Sequence, residues 1–210
     1  MDKGLLVVVS GFSGAGKGTM MKRLLEKYPG VYALSVSATT REPRPGEADG
    51  REYFFVSTEE FEDMIAKNEL IEHARYVNHY YGTPSGYVEK QREAGRDVLL
   101  EIELQGALQI RKRYPEAVLI FVAPPGAEEL RRRLAGRGSE TEEAIAARLN
   151  RAVEEAEYME NYDYLLINDD LETCVEKLHA LIAGQHMRSR EQLPFIHEMK
   201  KELKALVEGE

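Results

Sequence analysis

The chain has 210 residues, with 28 basic against 37 acidic side chains and a formal charge of −9. Such a length buries a sizeable core in one or two domains. The acidic balance argues against wrapping a nucleic-acid polymer or adhering to an anionic membrane, although a few clustered arginines still suffice for a small anion. Cys174 is alone, so there is no disulfide framework and no cysteine metal cluster.

The first apolar run, Leu5–Val9, is far too short to span a bilayer. It also begins too close to Met1 to follow the basic segment of a signal peptide, so a soluble, cytoplasmic protein is expected. The run reads as a strand apolar on both faces, as do Val98–Ile102, Val118–Val122 and Tyr164–Ile167. Helical patterns near 18–28, 84–94, 105–114, 126–135 and 170–184 alternate with these strands. The pattern predicts an α/β fold with a parallel sheet flanked by helices.

Directly after the first strand comes Gly11-Phe-Ser13-Gly14-Ala15-Gly16-Lys17-Gly18-Thr19, then the first helix. Glycines let successive backbone N–H groups point at one anion, the lysine reaches the β- and γ-phosphates, and the helix N-terminus adds its dipole. Strand, loop and helix together specify a nucleotide-phosphate loop. Gly18 intervenes where the strict pattern has Ser or Thr, which leaves open how Thr19 supports a Mg²⁺ ion. The loop alone does not define a reaction.

Residues 37–83 break the α/β rhythm with short strand-like pieces, Tyr53–Val56 and Leu70–Tyr76, around a loop rich in Arg, Pro and Gly. Arg41 and Arg44, stiffened by Pro43 and Pro45, make a cationic corner suited to a phosphate dianion, to which Tyr53 can add a hydroxyl. A second interruption, 136–159, opens with Gly136-Arg137-Gly138 and continues as a charged helix, Glu142 to Glu157. At the end, Leu193, Ile196, Met199, Leu203 and Leu206 are spaced for a helix packed on the core or on a neighbouring subunit of a homo-oligomer.

The run Thr39-Thr40-Arg41-x-x-Arg44-x-x-Glu47-x-x-Gly50-x-x-Tyr53-x-Phe55-Val56 resembles the guanylate kinase signature at every fixed position. The similarity continues, in order, through Ile71-Glu72-His73-Ala74, Asn78 to Thr83, Glu101 to Gly106, Gly136-Arg137-Gly138 and Asn168 to Leu171. The resemblance implies a P-loop kinase core (1–36, 84–128 and 160–210), a GMP-binding insertion (37–83) and a helical lid (129–159). It also implies transfer of the γ-phosphate of ATP to GMP with Mg²⁺. By similarity Gly11, Ser13, Gly14, Ala15, Gly16, Lys17, Gly18 and Thr19 bind ATP. Arg41, Arg44, Tyr53 and Tyr81 hold the GMP phosphate, while Ser37, Glu72, Thr83 and Glu103 face the base.

The chemistry of guanine agrees. It presents donors at N1 and N2 and an acceptor at O6, so a carboxylate such as Glu72 and a hydroxyl such as Ser37 or Thr83 complement it. Adenine has no N1–H and would leave the carboxylate unpaired.

Phosphoryl transfer needs alignment and charge neutralisation. Lys17 acts from the ATP side and Arg41 and Arg44 from the acceptor side. By similarity Arg133, Arg137 and Arg148 reach the ATP phosphates, while Arg131, Arg132 and Arg151 read as solvated helix surface. Glu101, at the carboxyl edge of its strand, is the candidate for arranging Mg²⁺-bound water, and Glu103 for the guanine N2 side. The reverse assignment stays open. Asn168 and Asp169 follow the last strand near the expected adenine, where Asp169 or Asp170 serves equally well as a helix N-cap. A guanylate-kinase-like interaction module without catalysis is the reading from a different class, set against an intact Lys17 and lid arginines. A P-loop kinase for another acceptor is set against Ser37, Glu72 and Thr83.

Overall fold

The computed structural model describes residues 3–76, 78–136 and 141–208. Arg137, one of the expected lid arginines, lies outside the described residues. Five parallel strands form the larger sheet: β1 (Leu6–Gly11), β2 (Tyr32–Leu34), β7 (Asp97–Glu101), β8 (Val118–Ala123) and β9 (Tyr164–Ile167), in the order β2-β7-β1-β8-β9.

Alternate residues of β1 point to opposite faces, and both faces are covered. Val7 and Val9 pack with Met20, Met21 and Leu24 of α1 (Lys17–Lys27) and with Val175, Leu178 and Ile182 of α7 (Leu171–Gln185). Leu6 and Val8 pack with Val88 of α3 (Ser85–Glu93) and Ala107 and Ile110 of α4 (Leu104–Arg113). Double coverage explains why these strands are continuous apolar runs. Truncating one such side chain, for example Leu24→Ala, costs about 2–5 kcal/mol.

The remaining strands, β3 (Ser37–Thr39), β4 (Tyr53–Phe55), β5 (Leu70–Tyr76) and β6 (His79–Pro84), form a second sheet in the order β4-β3-β6-β5. One of its faces is closed by α2 (Thr58–Ala66), which drives Phe61 against Ala38 and Leu70. Helix α2 starts at a capping box: the Ser57 hydroxyl accepts from the Glu60 N–H, and the Glu60 carboxylate accepts from the Ser57 N–H. Tyr80 stacks on Phe61 at 5.2 Å on this covered side.

Helices α5 (Ala127–Ala135) and α6 (Glu142–Ala156) pack through Leu130, Leu134, Ile145, Leu149 and Ala152 onto Phe12 of the phosphate loop. The last helix, α8 (Leu193–Glu208), forms where its spacing predicts, but none of its residues is buried and Phe195 is 63% exposed. Of the two coverings expected for its apolar stripe, the core of the same chain does not supply one. Among the described residues no helix is long and apolar enough to cross a membrane.

Candidate active site

The phosphate loop lies at the C-terminal end of β1, in the middle of the parallel sheet, where α/β folds bind ligands. Gly16 caps α1 in the left-handed region (φ 89°), and a Cβ there would lie 2.6 Å from the Asn168 amide nitrogen. No other residue type fits both the dihedral and the space. The Lys17 ammonium arches back over the loop and donates to the Gly11 and Phe12 carbonyls at 2.7 and 3.2 Å. Ser13, Gly14 and Ala15 form the turn between Phe12 and the helix, and Gly18 and Thr19 form the exposed first turn of α1.

The loop is held from outside by side chains that sequence similarity assigns to ATP. Asn168 is buried, and its amide donates to the Ala15 carbonyl at 2.8 Å. Arg133 donates to the Asn168 carbonyl at 2.9 Å and to the Ala15 carbonyl at 3.4 Å. Arg148 donates to the Ser13 hydroxyl at 2.5 Å. Asp169 is exposed, and Asp170 is the residue that caps α7, accepting from the Thr173 N–H.

Glu101 ends β7 beside the end of β1, and a Cβ added at Gly18 would lie 3.9 Å from its carboxylate. The residue is exposed at its surface, yet desolvation of its carboxyl among the surrounding protein groups raises its pKa, and Lys17 opposes the rise. Glu103 lies two residues on, as the N-cap residue of α4, and its carboxylate pairs with Arg151. The two carboxylates are thus separated by function-bearing neighbours: Glu101 faces the phosphate loop and Glu103 faces α6.

The open face of the second sheet carries the remaining candidates. Register places Ser37 opposite Tyr53, Thr39 opposite Tyr81, and Glu72 opposite Thr83. Side chains alternate across a strand, so Ser37, Tyr53, Glu72, Tyr81 and Thr83 share one face. Tyr81 therefore points into the site, while its neighbour Tyr80 belongs to the core.

At one end of this face Arg41 lies over the Tyr53 and Phe55 rings at 5.4 and 5.8 Å. Its Nη2 donates to both oxygens of Glu47 at 3.0 Å. The Arg44 N–H also donates to Glu47, and with Arg41 it holds that carboxyl below the usual range. The Arg44 side chain is exposed. Burial, with Tyr81 adding to it, pushes the Tyr53 phenol up.

At the other end Glu72 is 5% exposed. The Thr83 hydroxyl donates to its Oε1 at 2.6 Å, and burial still raises its pKa to about 7. Its Oε2 lies against Gly106, where a Cβ would come within 2.6 Å.

Several contributors are not evident from sequence reasoning. Gln109, on α4, donates to the His73 carbonyl at 2.7 Å and accepts from the His73 N–H at 3.1 Å. It pins the backbone next to Glu72 as a neighbouring strand would. Gly106, three residues earlier on α4, makes the space for the carboxylate. Glu47 sits three residues after Arg44, and that spacing in an Arg-Pro loop was its signal. Arg151 is corrected from solvated surface to a paired residue: its Nη2 bonds Glu103 and its Nε bonds Glu155 at 3.1 Å.

A phosphate loop with an anchored lysine, facing a second sheet with a cationic corner and a buried carboxylate, defines a P-loop phosphotransferase fold. The guanylate kinase family model matches residues 3–185. A guanylate kinase of Bacillus cereus is 48% identical over 201 residues, covering 96% of this chain and 98% of the relative. One from Halalkalibacterium halodurans is 50% identical over 198 residues, covering 94% and 97%. The crystal structure of guanylate kinase from Anaplasma phagocytophilum matches with a TM-score of 0.72 at 33% identity, covering 90% of this chain and 89% of that one. The chain belongs to the guanylate kinase family and is a kinase.

Proposed function

We propose that this chain transfers the γ-phosphoryl group of ATP to GMP, giving ADP and GDP. The observation that carries the acceptor assignment is Glu72: a buried carboxylate, bonded to Thr83 and held against Gly106, on the same sheet face as Arg41, Tyr53 and Tyr81. It accepts from guanine N1–H and N2–H, while Ser37 or Thr83 serves the O6 side. Adenine offers no N1–H donor and leaves the carboxylate unpaired, the kind of mismatch that sites of this sort reject by about 10⁴–10⁵-fold in favourable cases. dGMP keeps every contact named here and is included as an acceptor.

In this reading the acceptor phosphate is gripped by Arg41, Arg44, Tyr53 and Tyr81. One of its oxygens attacks the γ-phosphorus in line with the bridging oxygen, the P–O bond to the β-phosphate breaks, and ADP leaves with that electron pair. The dianionic acceptor is already nucleophilic, so the protein supplies alignment and charge neutralisation. Lys17 and the loop N–H groups hold the donor phosphates, and Arg133 and Arg148 add positive charge from α5 and α6.

Hard oxygen donors suit Mg²⁺, and the Glu101 carboxylate facing the start of α1 at Gly18, the turn that also carries Thr19, fits an ion carried largely by substrate phosphates and water. When bound, the ion neutralises charge on the transferring group. Residues 129–159 act as a lid and 37–83 as the acceptor domain, closing water out around both nucleotides. The products place the reaction in purine nucleotide metabolism, where it recycles GMP.

ADP release from ATP and Mg²⁺, with GMP, AMP, UMP and CMP offered separately, tests the assignment. Rapid turnover with GMP alone is expected. Equal turnover with AMP would sink the role of Glu72, and folded protein that binds GMP without turnover would favour the interaction-module reading.

A further inference from the structure

Helix α6 carries two arginines one turn apart that serve different halves of the site. Arg148 donates to the Ser13 hydroxyl of the phosphate loop, and Arg151 pairs with Glu103 at the start of α4. Between them and just beyond, Leu149 and Ala152 pack with Leu130, Leu134 and Phe12, fixing this face of α6 on the loop. Glu103 makes no side-chain cap bond to α4 and is 58% exposed at its side chain. A glutamate so placed is free to sample many rotamers unless something holds it. Arg151 is itself oriented by Glu155, four residues on, whose side chain is only 13% exposed. The chain Glu155–Arg151–Glu103 therefore runs from a largely shielded carboxylate on α6 to the acceptor side.

We propose that Arg151 is a positioning residue that holds Glu103 for the guanine and couples acceptor binding to donor binding through α6. The inference rests on the acceptor reading above. One carboxylate oxygen of Glu103 takes the guanidinium, and a carboxylate retains lone pairs for a second donor such as guanine N2–H. GMP bound to a carboxylate held in this way favours the position of α6 in which Arg148 meets Ser13. By linkage, nucleotide on the phosphate loop must then tighten GMP by the same factor.

The experiment is calorimetric titration of GMP into the full chain, with and without a non-hydrolysable ATP analogue and Mg²⁺. Wild type, Arg151→Gln, Glu103→Gln and the double variant are compared. For wild type the analogue tightens GMP by at least about 5-fold, the low end of ordinary coupling. Arg151→Gln loses most of that factor while its affinity for the analogue alone changes little. The double variant loses no more than either single one. Arg151→Lys, which keeps the charge, recovers part of the coupling and controls for misfolding of the glutamine variant.

Coupling in Arg151→Gln equal to wild type, additive losses in the double variant, or wild type that binds GMP without coupling each overturns the proposal. Wild type that binds no GMP in either arm instead overturns the acceptor reading, and this role with it.

Discussion

Replacing Glu72 by glutamine sets stability and binding against each other. Burial raises the Glu72 carboxyl from 4.5 to about 7 despite two donors from Thr83. At about 1.4 kcal/mol for each tenfold change in proton affinity, that difference corresponds to about 3 kcal/mol. Below about pH 4.5 both folded and unfolded chains hold the proton, and the site costs nothing by this route. Between about 4.5 and 7 the unfolded chain has released a proton that the folded chain still binds, so folded-state stability falls as pH rises. Above 7 the folded chain carries a desolvated charge, and the loss is complete.

Glutamine keeps an acceptor for Thr83 and never ionises. In urea denaturation of nucleotide-free protein, Glu72→Gln therefore gains on wild type by about 2–3 kcal/mol between pH 4.5 and pH 8.5. An amide nitrogen facing Gly106 without an acceptor removes about 1 kcal/mol at both ends, leaving a net gain at high pH. The same variant binds GMP about 10–100-fold more weakly at pH 8.5, because a charged acceptor pair is replaced by a mixed amide. A stability difference that does not grow with pH would refute the desolvation argument, whatever happens to GMP.

Lys17→Met removes the ammonium that arches over the phosphate loop, and turnover falls by about 10²–10³-fold or more with an unchanged circular dichroism spectrum. Near-normal rates in that variant would show the phosphate-loop assignment to be wrong. Gly106→Ala places a methyl within 2.6 Å of the Glu72 carboxylate. It costs about 1–3 kcal/mol of stability in thermal unfolding and raises KM for GMP while leaving KM for ATP nearly unchanged. Gln109→Ala takes away two bonds to the His73 backbone. A loss of about 1–2 kcal/mol and a several-fold weaker GMP affinity are expected, against an unaltered affinity for an ATP analogue measured by calorimetry.

The parallel core was legible because strands covered on both faces are mostly apolar, so Leu5–Val9 and Val118–Val122 stand out as runs. The phosphate loop was legible because its backbone needs glycine at positions such as Gly16. Short strands carried less signal: β2 has three residues and no alternation to read. Helix α2 was announced by Ser57 and Glu60, a capping box at a spacing that an apolar-period search passes over. Arg151 reads as surface in the sequence because its partner Glu103 lies 48 positions away, and only the packing of α6 on Phe12 brings the two together. The apolar stripe of α8 was read correctly as a helix. That stripe is not covered by the core of its own chain; periodicity reports a face and says nothing about what covers it.

The second sheet is attached unevenly. Its β5 edge is stitched to α4 through Gln109 and through Arg113, which donates to the Leu70 carbonyl, while β4 forms the opposite edge. Any swing of this sheet pivots on the stitched edge, as a door does on its hinge post. Glu72 lies on the hinge strand, and Arg41, just past the end of β3, lies two strand spacings out, a lever arm of about 10 Å at about 4.8 Å per strand. A rotation of about 10° then moves the arginine corner by about 1.7 Å and barely shifts the carboxylate. On the acceptor role proposed above, the end of the sheet that meets the base stays still while the end that meets the phosphate sweeps in.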